Sequence, residues 1–118
     1  MSLKKEFGNR GEEVAKAYLE ARNHTYKASH IYTYGGEIDL LMYDNSTHEL
    51  VFVEVKTRSS KYYNGLEVVY NKQKNTLEKA IYNILEEYNQ TDLWRLDIIL
   101  CTLTYDGFWL IEWYKNIE

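Results

Sequence analysis

Three side chains near the middle of the chain have the types and spacing that suit work on a phosphate. Asp39 sits in Glu37-Ile38-Asp39-Leu40-Leu41-Met42-Tyr43, and Glu54 and Lys56 in Leu50-Val51-Phe52-Val53-Glu54-Val55-Lys56, with Asn45, Ser46 and Thr47 between the two runs. Two alternating runs around a polar turn read as a β-hairpin. If Tyr43 pairs with Leu50, Leu41 stands opposite Phe52, Asp39 opposite Glu54 and Glu37 opposite Lys56 on one face. The other face pairs Met42 with Val51, Leu40 with Val53 and Ile38 with Val55, is wholly apolar, and belongs on a core. Carboxylates directly opposed on a sheet have Cβ atoms only ~4.5–5.5 Å apart and repel. A divalent cation relieves that repulsion: Mg2+ takes one or two carboxylates and leaves its other positions to water and substrate phosphate. Lys56, two residues beyond Glu54, points to the same face, where it can position an attacking water, help deprotonate it, or neutralise charge developing on the phosphate. The plainer alternative is a surface ladder in which Lys56 only pairs with Glu37.

The elements that must position these groups can be read from hydrophobic periodicity. A helix is expected from about Gly11 to Arg22, where Val14, Ala15, Ala17, Tyr18, Leu19 and Ala21 form a wide apolar face. Glu12 lies on the side of Ala15 and Leu19 and can reach a site at the sheet edge, whereas Glu13 projects to solvent. A carboxylate near a helix start is also explained by the macrodipole alone. An extended stretch from about Thr25 to Tyr34 precedes Gly35-Gly36. A second helix is expected from about Asn71 to Tyr88, with Leu77, Ala80, Ile81, Ile84, Leu85 and Tyr88 as its stripe. Its first turn would carry Lys72, Gln73 and Lys74 beside free backbone donors, a possible phosphate contact or plain surface lysine. Trp94 to Leu103 and Phe108 to Tyr114, separated by Asp106-Gly107, read as closing strands. Arg95 and Asp97 share a strand face and are expected to pair with each other.

Composition narrows the function classes. The 118 residues suit one domain, 1–118, and 45% apolar with 27% charged residues is ordinary for a globular protein. No apolar run approaches the ~20 residues that span a bilayer, and the charged start lacks a signal core, so a cytoplasmic protein with no membrane partner is expected. The single cysteine, Cys101, reads as a core residue, and His24, His30 and His48 lack the spacing of a zinc site. A net charge of −4 argues against tight, sequence-blind nucleic-acid binding. The charge is unevenly spread: Glu54 to Lys79, which includes Lys56, Arg58, Lys72 and Lys74, balances at +3 against −7 for the remainder. Such a stretch suits phosphate held beside a cation, or is an ordinary solvated face.

Taken together, Gly11-Glu12, Gly36-Glu37-Ile38-Asp39-Leu40 and Val51-Phe52-Val53-Glu54-Val55-Lys56-Thr57-Arg58 resemble the bacterial YraN family in order and spacing. Ala15, Tyr18-Leu19, Lys72-Gln73 and Arg95-Leu96-Asp97 extend the resemblance over nearly the full length. That family is similar to archaeal Holliday junction resolvases within the PD-(D/E)xK superfamily. The resemblance implies an α/β, restriction-endonuclease-like three-layer fold, with a central mixed β-sheet flanked by helices. It implies Asp39 and Glu54 as metal ligands, Glu12 as an additional acidic ligand, Lys56 as the catalytic lysine, and Mg2+ or Mn2+ as cofactor. The implied activity is endonucleolytic cleavage of structured, possibly branched, DNA, with Lys72, Gln73, Lys74 and Arg58 as nucleic-acid contacts. A junction-cutting enzyme needs two active sites, so Trp109, Trp113 and Tyr114 are expected to line a homodimer interface. The turn from Asn45 to His48 is slightly long for the family, and the segment before Lys72-Gln73 lacks the usual proline and extra arginines. A non-cutting nucleic-acid-binding module on the same fold, and a protein-interaction domain built on the 15% aromatic residues, are the alternatives.

Overall fold

The two alternating runs pair as expected, with Tyr43 opposite Leu50, Met42 opposite Val51, Leu41 opposite Phe52 and Leu40 opposite Val53. They form the middle of a five-stranded sheet in a computed structural model that describes residues 3–59, 66–87 and 93–117. Side chains are described from residue 5 onward and, in the second helix, from residue 77. The elements are α1 (Leu3–Glu20), β1 (His24–Thr33), β2 (Gly36–Asp44), β3 (Glu49–Ser59), α2 (Leu66–Glu87), β4 (Trp94–Leu103) and β5 (Trp109–Tyr114). Sheet order follows chain order. β3 and β4 run parallel, joined through α2, and the other neighbours are antiparallel.

Each face of the sheet carries one helix, which gives three layers and the restriction-endonuclease-like α/β arrangement. Ala15 and Leu19 of α1 pack on Leu40, Met42, Val51, Val53 and Val55. Leu77, Ala80, Ile81 and Ile84 of α2 pack on Ile38, Leu50, Phe52 and Leu96 on the opposite face. β3 is therefore buried on both sides, which explains its nearly unbroken apolar run from Leu50 to Val55. Cys101 is a buried core thiol, pushed up to about 12 by burial. Among the described residues, no helix is long and apolar enough to cross a membrane.

Both helices begin earlier than the apolar stripes suggested. α1 starts at Leu3, so Glu12 stands in mid-helix, where the N-terminal dipole no longer accounts for it. Asn23, at φ 65°, turns the chain out of α1 into β1, a left-handed position that asparagine tolerates. α2 starts at Leu66, which places Lys72, Gln73 and Lys74 inside the helix, away from its free backbone donors. Lysine and glutamine are good helix formers, so a polar stretch before the stripe did not mark a helix start.

The hairpin register holds only part of its expected length. Pairing of β2 with β3 stops at Leu40–Val53, and Asp39–Glu54, Ile38–Val55 and Glu37–Lys56 do not continue it. Instead Asp39 Oδ2 accepts a hydrogen bond from the Val55 N–H at 3.0 Å, a side chain taking the place of a backbone partner. Beyond this point β2 stays with β1 through Thr33–Gly36, while β3 stays with β4 through Ser59–Leu103. The sheet forks there, and Ile38 joins the core under α2 while Val55 joins the core under α1.

Glycines set the approach of the helices to the fork. A Cβ on Gly11 would collide with the Thr57 side chain, so α1 lies against β3 one residue before Glu12. A Cβ on Gly35 would meet Lys79 and Asn83, so the β1–β2 turn is tucked against α2. At the far end of the sheet, buried Arg95 bonds Asp97 Oδ1 at 3.0 Å, Asp44 Oδ2 at 2.8 Å, Glu49 Oε1 at 3.0 Å and His24 Nε2 at 3.2 Å. Asp97 also accepts from Trp113 Nε1 at 2.9 Å. The expected Arg95–Asp97 pair is thus the centre of a network that draws on all five strands.

Candidate active site

The fork opens into a cleft of about 400 Å³ lined by Glu12, Glu37, Asp39, Glu54, Lys56 and neighbouring apolar groups. The three acids and the lysine singled out from sequence converge here from α1, β2 and β3. Glu54 is buried with its carboxyl within hydrogen-bonding reach of Asp39, an arrangement that favours a proton on the pair. Burial, followed by the charge of Asp39, pushes Glu54 up to about 9. Burial also raises Asp39, against the opposing pull of the Val55 N–H. Glu12 is raised by burial and then by Asp39. Lys56 Nζ stands 3.9 Å from Glu54 Oε1.

Glu37 does not form the surface ladder with Lys56. Its Oε1 meets His30 Nδ1 at 3.1 Å, and His30 Nε2 meets Glu12 Oε2 at 2.7 Å. The hydrogen bond with Glu37 is the largest influence raising His30 above its ordinary value. Neither residue was assigned a role in the site from sequence. The pairing of β1 with β2 places them: Ser29–Leu40 and Ile31–Ile38 bracket His30 against Asp39, a register that the spacing of residues alone does not reveal.

The profile of the uncharacterised protein family UPF0102 matches residues 11–101, a span that contains every residue of this cleft. The chain belongs to the UPF0102 family. A UPF0102 protein of Geobacter metallireducens is 38% identical over 111 residues, covering 91% of this chain and 87% of the relative. One from Chloroflexus aurantiacus is 34% identical over 101 residues, covering 84% and 81%. The UPF0102 protein YraN of Salmonella agona is 32% identical over 115 residues, covering 96% and 84%. The resemblance to YraN carried by the sequence motifs is therefore membership of UPF0102.

Of the nucleic-acid contacts expected for this UPF0102 chain, Arg58 is the one whose side chain is described. The Arg58 guanidinium donates to Thr102 Oγ1 at 2.9 Å and Glu112 Oε1 at 3.1 Å, which ties β3 to β4 and β5. The side chains of Lys72, Gln73 and Lys74 lie outside the described residues. Trp109 stacks on Phe7 at 5.7 Å and Trp113 meets Tyr18 edge-on at 6.0 Å, so these two expected interface rings are engaged with α1. Tyr114 donates to Glu112 Oε2 at 2.7 Å.

The donor set fits a hard divalent cation. Among the described residues, no group of three or more His, Cys, Asp or Glu stands at metal-holding spacing. Asp39 and Glu54 alone already supply the one or two carboxylates that Mg2+ takes, and Glu12 lines the same cleft. A proton shared between two buried acids is what a cation displaces on binding. The carboxylate oxygens favour Mg2+ or Mn2+ over softer metals.

Proposed function

We propose that this chain is a divalent-cation-dependent endonuclease that hydrolyses phosphodiester bonds in structured DNA, branched junctions included, and works in the cytoplasm. The observation that carries this reading is the gathering of Glu12, Asp39, Glu54 and Lys56 from three elements into one cleft at the sheet fork. Asp39 and Glu54 would hold Mg2+ or Mn2+, and Glu12, which lines the same cleft without completing a metal-holding group of three, would act on the ion through a bound water. When bound there, the ion would supply Lewis acidity toward a phosphoryl oxygen and would lower the pKa of a bound water.

The chain's own groups account for the remaining steps. Loss of the proton shared by Asp39 and Glu54 makes both carboxylates available as ligands and acceptors. Lys56, held beside Glu54, can hydrogen-bond the attacking water and offset negative charge gathering on the phosphate oxygens. The half-buried cleft strengthens both effects by thinning the surrounding water. Val55 fixes the Asp39 carboxylate through its N–H, so the acid pair is set before substrate arrives.

The test incubates purified protein with labelled linear, nicked and four-way DNA, and with RNA, in Mg2+, Mn2+ or chelator. Cation-dependent cutting that prefers branched DNA and disappears in Asp39→Asn and Lys56→Ala is the expected result. Cutting that survives both substitutions comes from a contaminant and removes support for the proposal. Salt-sensitive binding without cutting identifies a binding module instead.

A further inference from the structure

We infer that His30 is a positioning residue of this cleft, holding the Glu12 carboxylate of α1 and the Glu37 carboxylate of β2 in place from β1. The inference rests on the cation-dependent reading of the cleft, and it assigns a role to a residue that none of the cleft chemistry above required. Each imidazole nitrogen faces a different carboxylate, Nε2 at 2.7 Å from Glu12 Oε2 and Nδ1 at 3.1 Å from Glu37 Oε1. One ring thereby joins three separate elements.

The backbone is shaped for this contact. His30 takes φ 50°, a left-handed conformation in the middle of a strand, and stands out of the ladder while Ser29 and Ile31 on either side pair with Leu40 and Ile38. Histidine visits this region more readily than most side chains, and a β-branched residue would not. The side chain is exposed, at 42% of its free accessibility, so packing does not account for its placement. Glu12 has the opposite problem, because a glutamate in mid-helix has several rotamers and most would carry its carboxylate away from Asp39 and Glu54. The bond to His30 selects among them using one of its two oxygens. His30 and Glu12 also line a neighbouring cleft of about 260 Å³ with Asn9, Lys16 and Tyr26, so Glu12 borders both openings and His30 holds it from the second. Partners that orient metal-ligating groups in this way typically contribute about 10- to 100-fold to metal affinity.

The test measures Mn2+ binding to the full chain by the loss of the free-ion electron paramagnetic resonance signal. Wild type, His30→Asn, His30→Gln and Asp39→Asn are compared, with thermal midpoints in chelator recorded for each. Asparagine suits the left-handed backbone but is too short to span both carboxylates, and glutamine can still reach one of them. His30→Asn is expected to bind Mn2+ about ten-fold more weakly at an unchanged midpoint, with His30→Gln recovering part of the affinity. Unchanged or tighter binding by His30→Asn, while Asp39→Asn loses binding, overturns the role of His30 alone. A weaker affinity matched by a fallen midpoint, unrestored by His30→Gln, also overturns it in favour of a structural role. Wild-type affinity in Asp39→Asn overturns the cation reading itself, and this inference with it.

Discussion

Asp39 and Glu54 come from strands that have stopped pairing with each other, yet their carboxyl groups share a hydrogen bond across the gap. The contact joins two acids that burial would otherwise discharge, and it sits where the fork of the sheet leaves room for a ligand. From it follow expectations about pH, packing and catalysis.

The first concerns stability. Glu54 is raised from 4.5 to about 9, so between those values the folded chain keeps a proton that the unfolded chain releases. The sign is that stability falls as pH rises through this window, by on the order of 1 kcal/mol per pH unit at most. In chelator, urea midpoints of wild type relative to Glu54→Gln should drop between about pH 5 and pH 8. Millimolar Mg2+ should flatten the difference, because the ion replaces the proton. A difference that is flat in chelator contradicts the shared-proton pair.

Gly11 offers a test of how α1 is placed. Gly→Ala inside a helix ordinarily stabilises by up to ~1 kcal/mol. Here the added methyl meets the Thr57 side chain, and overpacking of this kind costs about 1–3 kcal/mol. Gly11→Ala should therefore lower the urea midpoint, and Gly11→Ala with Thr57→Ala, which removes the colliding hydroxyl and methyl, should recover part of it. A stabilised Gly11→Ala would show that helix and strand are not in contact there.

The far end of the sheet should be structural. Asp97 is fully buried and accepts bonds from Arg95, Trp113 and the Asn116 N–H. Removing one partner of a buried pair costs about 3–5 kcal/mol, so Asp97→Ala should be strongly destabilised in equilibrium urea unfolding. Asp44, pulled well below the usual carboxylate range by Arg95 and the Ser46 and Thr47 N–H groups despite its burial, contributes stability that is lost as pH falls through its folded value.

Lys56 and Asp39 should fail in different ways. Lys56→Ala should lower single-turnover cleavage by about 10²-fold or more while leaving the Mg2+ concentration for half activity nearly unchanged. Asp39→Asn should raise that concentration. Metal titrations of cleavage by both variants check the distinction, and equal shifts in the two would contradict the division of roles.

Much of the site was legible because strands have a period of two. Leu40, Leu41, Met42 and Tyr43 fixed their partners through the apolar pattern, and Lys56 had to share a face with Glu54. The fork was not legible, because nothing in local pattern says that the Asp39 carboxylate will take the Val55 N–H and end the ladder. His30 escaped for a related reason: its place depends on a left-handed backbone and on two partners distant in sequence, neither of which spacing reveals. Arg58 matched a motif, but its bonds to Thr102 and Glu112 could not be read from it, because only the pairing of β3, β4 and β5 brings those residues near. The helix starts were misplaced because apolar stripes mark where a helix is buried, and α1 and α2 extend beyond those faces.

The most direct measurement is anomalous diffraction from a crystal of this chain grown with Mn2+. The expected result is a peak in the cleft within ~2.2 Å of an Asp39 and a Glu54 oxygen, with the hydrogen bond between those carboxyls broken. A cleft without a peak, in which Asp39 and Glu54 still share their proton at saturating Mn2+, would contradict a cation-dependent site.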